Sequence, residues 1–273
     1  MLKQINEVTI KPLPMIGGGD TRPVKGSELF PELYANIFLC AKKNSGKSSV
    51  VSRIIDECSG RDTKILAFVS TIFKDNAWLQ IAALCEKRKL YFEPHTSLKE
   101  EGVDLLEMFL KVQAVPPEPD RGKGVKPPKN ILLVDPDSDE EDEPKRKKKE
   151  KYIAPEWIIV LDDLSTELKT KSVVSLLKKN RHLKAKVIVS SQYINDLAPE
   201  SRKQIDTWLI FSSQNEEKLE VIYKDADIHV SYEEFHEMYK VATKEDYSFL
   251  YVDNRHNEFR RNFNYKFTIG AKE

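Results

Sequence analysis

Cysteine is scarce in this chain, and so is the chemistry it usually signals. The three present, Cys40, Cys58 and Cys85, show no metal-ligand spacing, and an odd number is a poor disulfide framework. Long apolar runs are missing as well: nothing approaches the ~18 consecutive apolar residues that mark a membrane-crossing helix. The opening MLKQINEVTIKPLP has no apolar h-region, so no secretory signal is expected. Net charge is also absent. Lys plus Arg number 44 and Asp plus Glu 44, which excludes a whole-molecule basic field for nucleic acid but leaves room for a local patch. What remains is a 273-residue chain that is 40% hydrophobic and 32% charged. That is enough apolar material for a core, with more charge than usual. A reduced, intracellular, soluble protein without a membrane span is expected, with one large domain or two small ones.

Segment 114–152 stands apart from the rest. It is proline-rich, then carries seven acids between Asp135 and Glu143 and five consecutive bases from Lys145 to Lys149. Such a stretch buries too little apolar surface to offset its ordering entropy, which predicts a disordered or mobile insertion. The run Ile131 to Val134 reads as a strand or a docking peptide. The basic run reads as a nuclear-import signal, a nucleic-acid contact, or one half of a self-neutralising solvated tail.

Elsewhere strand and helix patterns alternate. ANIFLC (Ala35–Cys40), KILAFVS (Lys64–Ser70), WIIVL (Trp157–Leu161), KVIVSS (Lys186–Ser191) and TWLIFS (Thr207–Ser212) are continuous apolar runs of the kind buried on both faces of a parallel sheet. Between them, Ser48–Cys58, Trp78–Cys85, Val103–Val112 and Ser172–Lys179 have helical spacing. This order predicts βαβ units and a parallel sheet. The tail differs: Tyr247–Val252 and Phe259–Ile269 alternate and are rich in aromatics, which predicts a hairpin or edge strands. The expected organisation is an N-terminal arm (1–30), two halves of one α/β domain (31–113 and 153–225) around the insertion, and a β-rich C-terminal extension (226–273).

Ala41-Lys42-Lys43-Asn44-Ser45-Gly46-Lys47-Ser48 follows a strand and opens a helix, the context a phosphate-binding loop demands. Backbone N–H groups of such a loop surround the β- and γ-phosphates, and the helix adds its positive N-terminus. Gly46 supplies the turn, Lys47 an ammonium for phosphate oxygens, and Ser48 a hydroxyl for Mg²⁺. Ser49 adjoins the loop but falls outside the metal position by spacing. Ala41 stands where a first glycine is usual.

The strand WIIVL ends in Asp162-Asp163. Beside a phosphate loop, an acid at a strand end holds Mg²⁺, here Asp162, and the next, Asp163, can polarise the attacking water. The strand KVIVSS ends in Gln192, whose amide can sense the γ-phosphate or hold the water. Arg181 precedes that strand, so it should lie on the rim away from its own nucleotide and better placed to serve a neighbouring subunit. A solvated Arg in KKNRH is the plainer alternative.

The three stretches AKKNSGKSS, WIIVLDDLS and NRHLKAKVIVSSQYINDLAPE resemble the genome-packaging ATPases of large DNA viruses and virophages, the poxvirus-type branch of the FtsK–HerA superfamily. The resemblance covers roughly 36–212 apart from the insertion, and it departs from the family at Ala41 and in carrying that insertion. It implies a RecA-like P-loop fold and an ATP- and Mg²⁺-dependent motor. The motor would be a homo-oligomeric ring of five or six subunits that moves double-stranded DNA into a preformed capsid, meeting a capsid or portal partner. It implies Lys47 and Ser48 on MgATP, Asp162 and Asp163 as metal and water acids, Gln192 as sensor and Arg181 as a trans finger. Location would be the host cytoplasm (virus factory) or the virion, with the nucleus as a further option.

Other functions make different demands. A P-loop kinase needs an Arg-rich lid, for which Arg255, Arg260 and Arg261 are the candidates. A single-strand translocase needs stacking platforms, for which the tail offers Tyr247, Phe249, Tyr251, Phe259, Phe263, Tyr265 and Phe267, though alternating aromatics usually form sheet core. A nucleotide-gated regulator would have little use for Asp163 and Gln192. Candidate phosphate contacts on DNA are Lys169, Lys171, Lys178, Lys179 and the run 145–149.

Overall fold

The computed structural model describes residues 20–114, 151–212 and 214–268. Its first half runs β1 (Asn36–Cys40), α1 (Lys47–Cys58), β2 (Lys64–Val69), α2 (Asn76–Lys87), β3 (Tyr91–His95), the small hairpin β4 (Lys99–Glu100) and β5 (Val103–Asp104), and α3 (Leu105–Ala114). The second half runs β6 (Trp157–Asp162), α4 (Lys171–Lys179), β7 (Ala185–Ser191), α5 (Pro199–Arg202), β8 (Thr207–Phe211), α6 (Glu216–Asp225), α7 (Tyr232–Ala242), β9 (Phe249–Asp253), β10 (Glu258–Arg261) and β11 (Tyr265–Lys266). The charged segment lies outside the described residues between α3 and Lys151, and with it the strand or docking reading of Ile131–Val134.

One sheet organises the molecule, in the order β11-β10-β9-β8-β1-β7-β6-β2-β3. From β8 to β3 every pairing is parallel. β9 and β10 then join antiparallel at the β8 edge, so the aromatic tail extends the central sheet. The isolated bridge of Val24 to Ile153 ties the N-terminal arm to the chain leading into β6.

The continuous apolar runs have a physical reason. Phe38, Ile159, Leu161, Val187, Val189 and Trp208 pack on one face with α3, α4, α6 and α7. The intervening Ile37, Leu39, Ile158, Val160, Ile188 and Leu209 pack on the other with α1 and α2. Side chains alternate across a strand, so a strand covered on both faces must be apolar at every position. Each fully buried Ile or Leu contributes roughly 1.5–3 kcal/mol.

β1 and β6 are not neighbours, because β7 lies between them, with Cys40 opposite Ser191 and Asp162 opposite Ser190. The end of β7 therefore sits between the ends of the strand that enters the loop and the strand that carries the acids. α1, α2 and α4 start on this carboxyl rim.

Candidate functional site

The loop is held by backbone. The Ala41 N–H donates to Ser191 O at 3.0 Å, and the Asp163 N–H donates to Ser190 O at 3.1 Å. Two consecutive carbonyls of β7 thus fix the phosphate loop on one side and the acidic turn on the other. Within the loop, Ser45 Oγ donates to Lys42 O at 2.7 Å, and Asn44 and Gly46 take left-handed backbone, φ 63° and 87°. Gly46 caps α1 with no side-chain hydrogen bond and no acid in the first turn, so its N-terminal N–H groups and dipole are left for an anion.

Lys47 Nζ lies 3.0 Å from Asp162 Oδ1 and 3.9 Å from Asp163 Oδ2. Asp162 is buried, and its other oxygen accepts from Trp78 Nε1 at 3.2 Å. Neither Lys47 Nζ nor Asp162 Oδ1 makes an aligned hydrogen bond. The pair is close in charge but unspent in hydrogen-bonding capacity, and buried groups are rarely left so without a role. Asp163 sits at φ 55°, which turns the chain sharply after β6 and leaves its carboxylate part-exposed.

These groups line a cleft of about 630 Å³ with Lys43, Asn44, Ser48 and Ser49, and with Thr71, Asp75, Ala77 and Tyr247 from other elements. Thr71, Asp75 and Ala77 escape the sequence reading, which names Tyr247 only as a stacking platform for single strands and Trp78 only as the start of a helix. Thr71 follows β2, at the same kind of polar strand end that drew notice at Gln192. Asp75 caps α2 by accepting from Ala77 N at 2.9 Å. Trp78 is buried in the core, and its indole N–H is what reaches Asp162.

Ala41 is buried at the end of β1, and Lys42 and Lys43 are exposed. Gln192 is part-buried just past β7, on the same rim as Asp162, with Cys40 Sγ 3.9 Å from its carbonyl. Arg181 is on the opposite rim, exposed, 3.9 Å from Asp206. The seven residues of β7 separate it from the cleft by about 20 Å at ~3.3 Å per residue.

The cleft fits Mg²⁺ and a polyphosphate chemically. Ser48 offers a hydroxyl and Asp162 a buried, unspent carboxylate oxygen. Among the described residues no group of three or more His, Cys, Asp or Glu forms a metal cage, but Mg²⁺ on a P-loop draws most of its oxygens from phosphate and water. The three cysteines are buried and free, and burial pushes the thiols up, Cys40 to about 12 and Cys85 to about 11.

The remaining candidates divide. Arg255 pairs with Glu32 at 2.7 Å, Arg260 lies over the Tyr251 ring at 4.8 Å, and Arg261 pairs with Glu245. None of the three lines the cleft. Phe249, Tyr251 and Phe259 are core, whereas Tyr247 and Tyr265 are exposed. Lys169, Lys171 and Lys179, with Lys99 and Lys111, line a second cleft of about 630 Å³ between α3 and α4, which also holds Asp104 and Glu107. Lys178 is exposed beside it. The run 145–149 lies outside the described residues. No helix among them is long and apolar enough to cross a membrane.

A mostly parallel sheet, a loop of this form and an acidic strand one strand away define a RecA-like P-loop NTPase fold. Residues 133–255 match the family described as Poxvirus A32 protein. That bears out the resemblance read from the sequence, over a span that includes the acidic strand and Gln192 but not the loop. Uncharacterized protein 075L of Invertebrate iridescent virus 6 is 32% identical over 132 residues, covering 45% of this chain and 51% of that protein; the chain thus spans about half the length of this curated relative. Among solved structures, the genome packaging NTPase B204 of Sulfolobus turreted icosahedral virus 2 in complex with AMP superposes with a TM-score of 0.53 at 16% identity, over 88% of this chain and 100% of that one. B204 of Sulfolobus turreted icosahedral virus, described as its DNA-packaging ATPase, gives a TM-score of 0.50 at 17% identity, over 83% and 95%. These structural likenesses show the shared fold.

Proposed function

We propose that this chain is an ATP-hydrolysing motor that moves double-stranded viral DNA into a preformed capsid. The observation that carries the proposal is the end of β7. Its carbonyls hold the phosphate loop and the acidic turn side by side, with Gln192 next along the chain and Lys47 3.0 Å from Asp162. The match to the Poxvirus A32 family supports packaging over other uses of the fold.

In this reading the backbone from Ala41 to Ser49 cradles the phosphates, and Lys47 leaves Asp162 for their oxygens. Asp162 and Ser48 would hold Mg²⁺, which supplies charge neutralisation on the phosphates. Asp163 orients a water and accepts its proton, while Gln192 reads the γ-phosphate from between the two. Arg181 is too far from its own cleft and serves the next subunit of a homo-oligomeric ring of five or six. DNA phosphates would meet the lysines between α3 and α4, and the capsid or portal would receive the DNA. The protein would work in the host cytoplasm (virus factory) or the virion; nothing in the comparisons favours the nucleus.

Steady-state ATP hydrolysis, measured with and without duplex DNA across protein concentration, tests the proposal. Activity should rise with both. Activity indifferent to both, but dependent on a small phosphate acceptor, would replace the motor with a kinase.

A further inference from the structure

The phosphate cleft does not end at the loop. A second, mainly apolar cleft of about 450 Å³ adjoins Gly46, walled by Ser49, Val50 and Arg53 of α1 and by Tyr247, Phe249, Asn262 and Phe263. Gly46, Ser49 and Tyr247 line both clefts. A nucleotide has that same division, with a polyanion at one end and a flat heteroaromatic ring at the other.

We propose that this apolar cleft is the base subsite, with Tyr247 as its stacking platform. The proposal rests on the nucleotide reading of the phosphate cleft. Tyr247 is 68% exposed yet sits at φ 62°, a left-handed conformation that costs a bulky residue about 1 kcal/mol or more. A core tyrosine would be buried, whereas this ring is presented at the surface beside the loop. The turn before β9 holds the conformation: both the N–H and the hydroxyl of Ser248 donate to Glu245 O. The result lays the ring against the loop, so close that a Cβ on Gly46 would fall 3.2 Å from Tyr247 Cδ1. Glycine at position 46 is thus fitted both to the phosphate turn and to this ring.

The opposite wall is built to stay in place. Phe263 is edge-on to Phe249 at 5.2 Å and to Phe30 at 5.7 Å. Asn262 exchanges bonds with Phe249: its N–H donates to Phe249 O, and its Oδ1 accepts from Phe249 N, both at 3.0 Å. That fixes the carboxamide, and its Nδ2 hydrogens have no partner among the described residues. They suit an acceptor nitrogen on the edge of a purine ring. Aromatic stacking and an amide donor, with the Arg53 guanidinium at the margin, make a subsite for the base.

The test is equilibrium binding of ATP and of inorganic triphosphate, each with Mg²⁺, to the full chain and to Tyr247→Ala and Tyr247→Phe. Tyr247→Ala should weaken ATP roughly tenfold, in line with base–aromatic stacking, leave triphosphate unchanged, and be rescued by Tyr247→Phe. Unchanged ATP affinity in Tyr247→Ala overturns the subsite. So does an equal loss for ATP and triphosphate, because the ring would then act on the loop. If the unaltered chain binds neither ligand, the nucleotide reading falls and the base subsite falls with it.

Discussion

The two rims of the central sheet treat their buried charges differently. On the carboxyl rim, two oppositely charged groups are close together but incompletely matched: Lys47 Nζ and Asp162 Oδ1 make no aligned hydrogen bond. On the amino rim, several polar groups find backbone and carboxylate partners, although Asn36 Oδ1 and Asn180 Nδ2 have none. Asn36 donates from Nδ2 to Leu177 O at 2.8 Å and Gln204 O at 2.7 Å, and its N–H donates to Asp206 Oδ2 at 2.8 Å. Lys186 Nζ donates to Glu32 O at 2.8 Å. The same β strands feed both rims, so the difference is not one of fold. Matching lowers the energy of the chain alone; leaving donors and acceptors unmatched keeps them for a ligand.

If that contrast holds, substitutions on the two rims should affect different measurements. The largest effect belongs to Lys47→Ala and Asp163→Asn, each expected to lower ATP turnover by at least roughly a hundredfold, the scale for losing a group that meets transition-state charge. Full activity in either variant would remove the site assignment. Arg181→Ala crosses between the rims. It should lose turnover that no increase in ATP restores, and mixing it with Lys47→Ala subunits, which keep Arg181, should recover part of it. Absence of recovery would return Arg181 to an ordinary surface charge. Asn36→Ala should leave turnover per folded molecule unchanged but lower unfolding free energy by about 1–3 kcal/mol, because two carbonyls lose their donor. Urea unfolding beside ATPase assays checks both halves.

The parts legible in the sequence are those where one physical rule acts alone. β6 and β7 are buried on both faces, so their runs are apolar throughout and their polar ends mark the rim. β3 was missed because YFEPH is only part-buried at the sheet edge and contains Pro94 and Glu93, which remove the apolar signal. α7 falls inside the stretch expected to be β-rich. Its start carries a capping box, with Ser231 Oγ accepting from Glu234 N and the Glu234 carboxylate accepting from Ser231 N, a spacing that the sequence does display. Lys47 and Asp162 meet in one cleft, as the coincidence of motif and strand context leads one to expect. Thr71 and Asp75 carry no such signal, and Trp78 and Tyr247 read only as a helix residue and a tail aromatic, since all four reach this site only once the crossover after β2 and the antiparallel return into β9 bring distant segments together. Arg181 was placed on the correct rim by connectivity alone: a residue just before a parallel strand starts opposite that strand's end.

The smallest effect, and the sharpest contrast between the rims, concerns a buried charge that touches stability and not turnover. Lys186 is wholly buried near the start of β7, with its ammonium 5.0 Å over the Phe30 ring. Burial holds its pKa below the ordinary lysine value, with Cys58, Glu32 and Asp206 opposing in part. The unfolded chain then keeps the Lys186 proton up to about pH 10.4, whereas the folded chain releases it at lower pH. Between those two points the unfolded state binds more protons, so this residue's contribution to stability rises with pH. Below the folded pKa its cost is fully present; above the unfolded pKa it has gone. Lys186→Met keeps the aliphatic packing and removes the titration. Relative to the unaltered chain, the variant should be at its best at neutral pH and lose that advantage as pH climbs toward 10, with ATP turnover unaffected. Unfolding measured at several pH values from 7 to 10 decides the matter: parallel stability curves for the two proteins would mean that burial does not strain this ammonium.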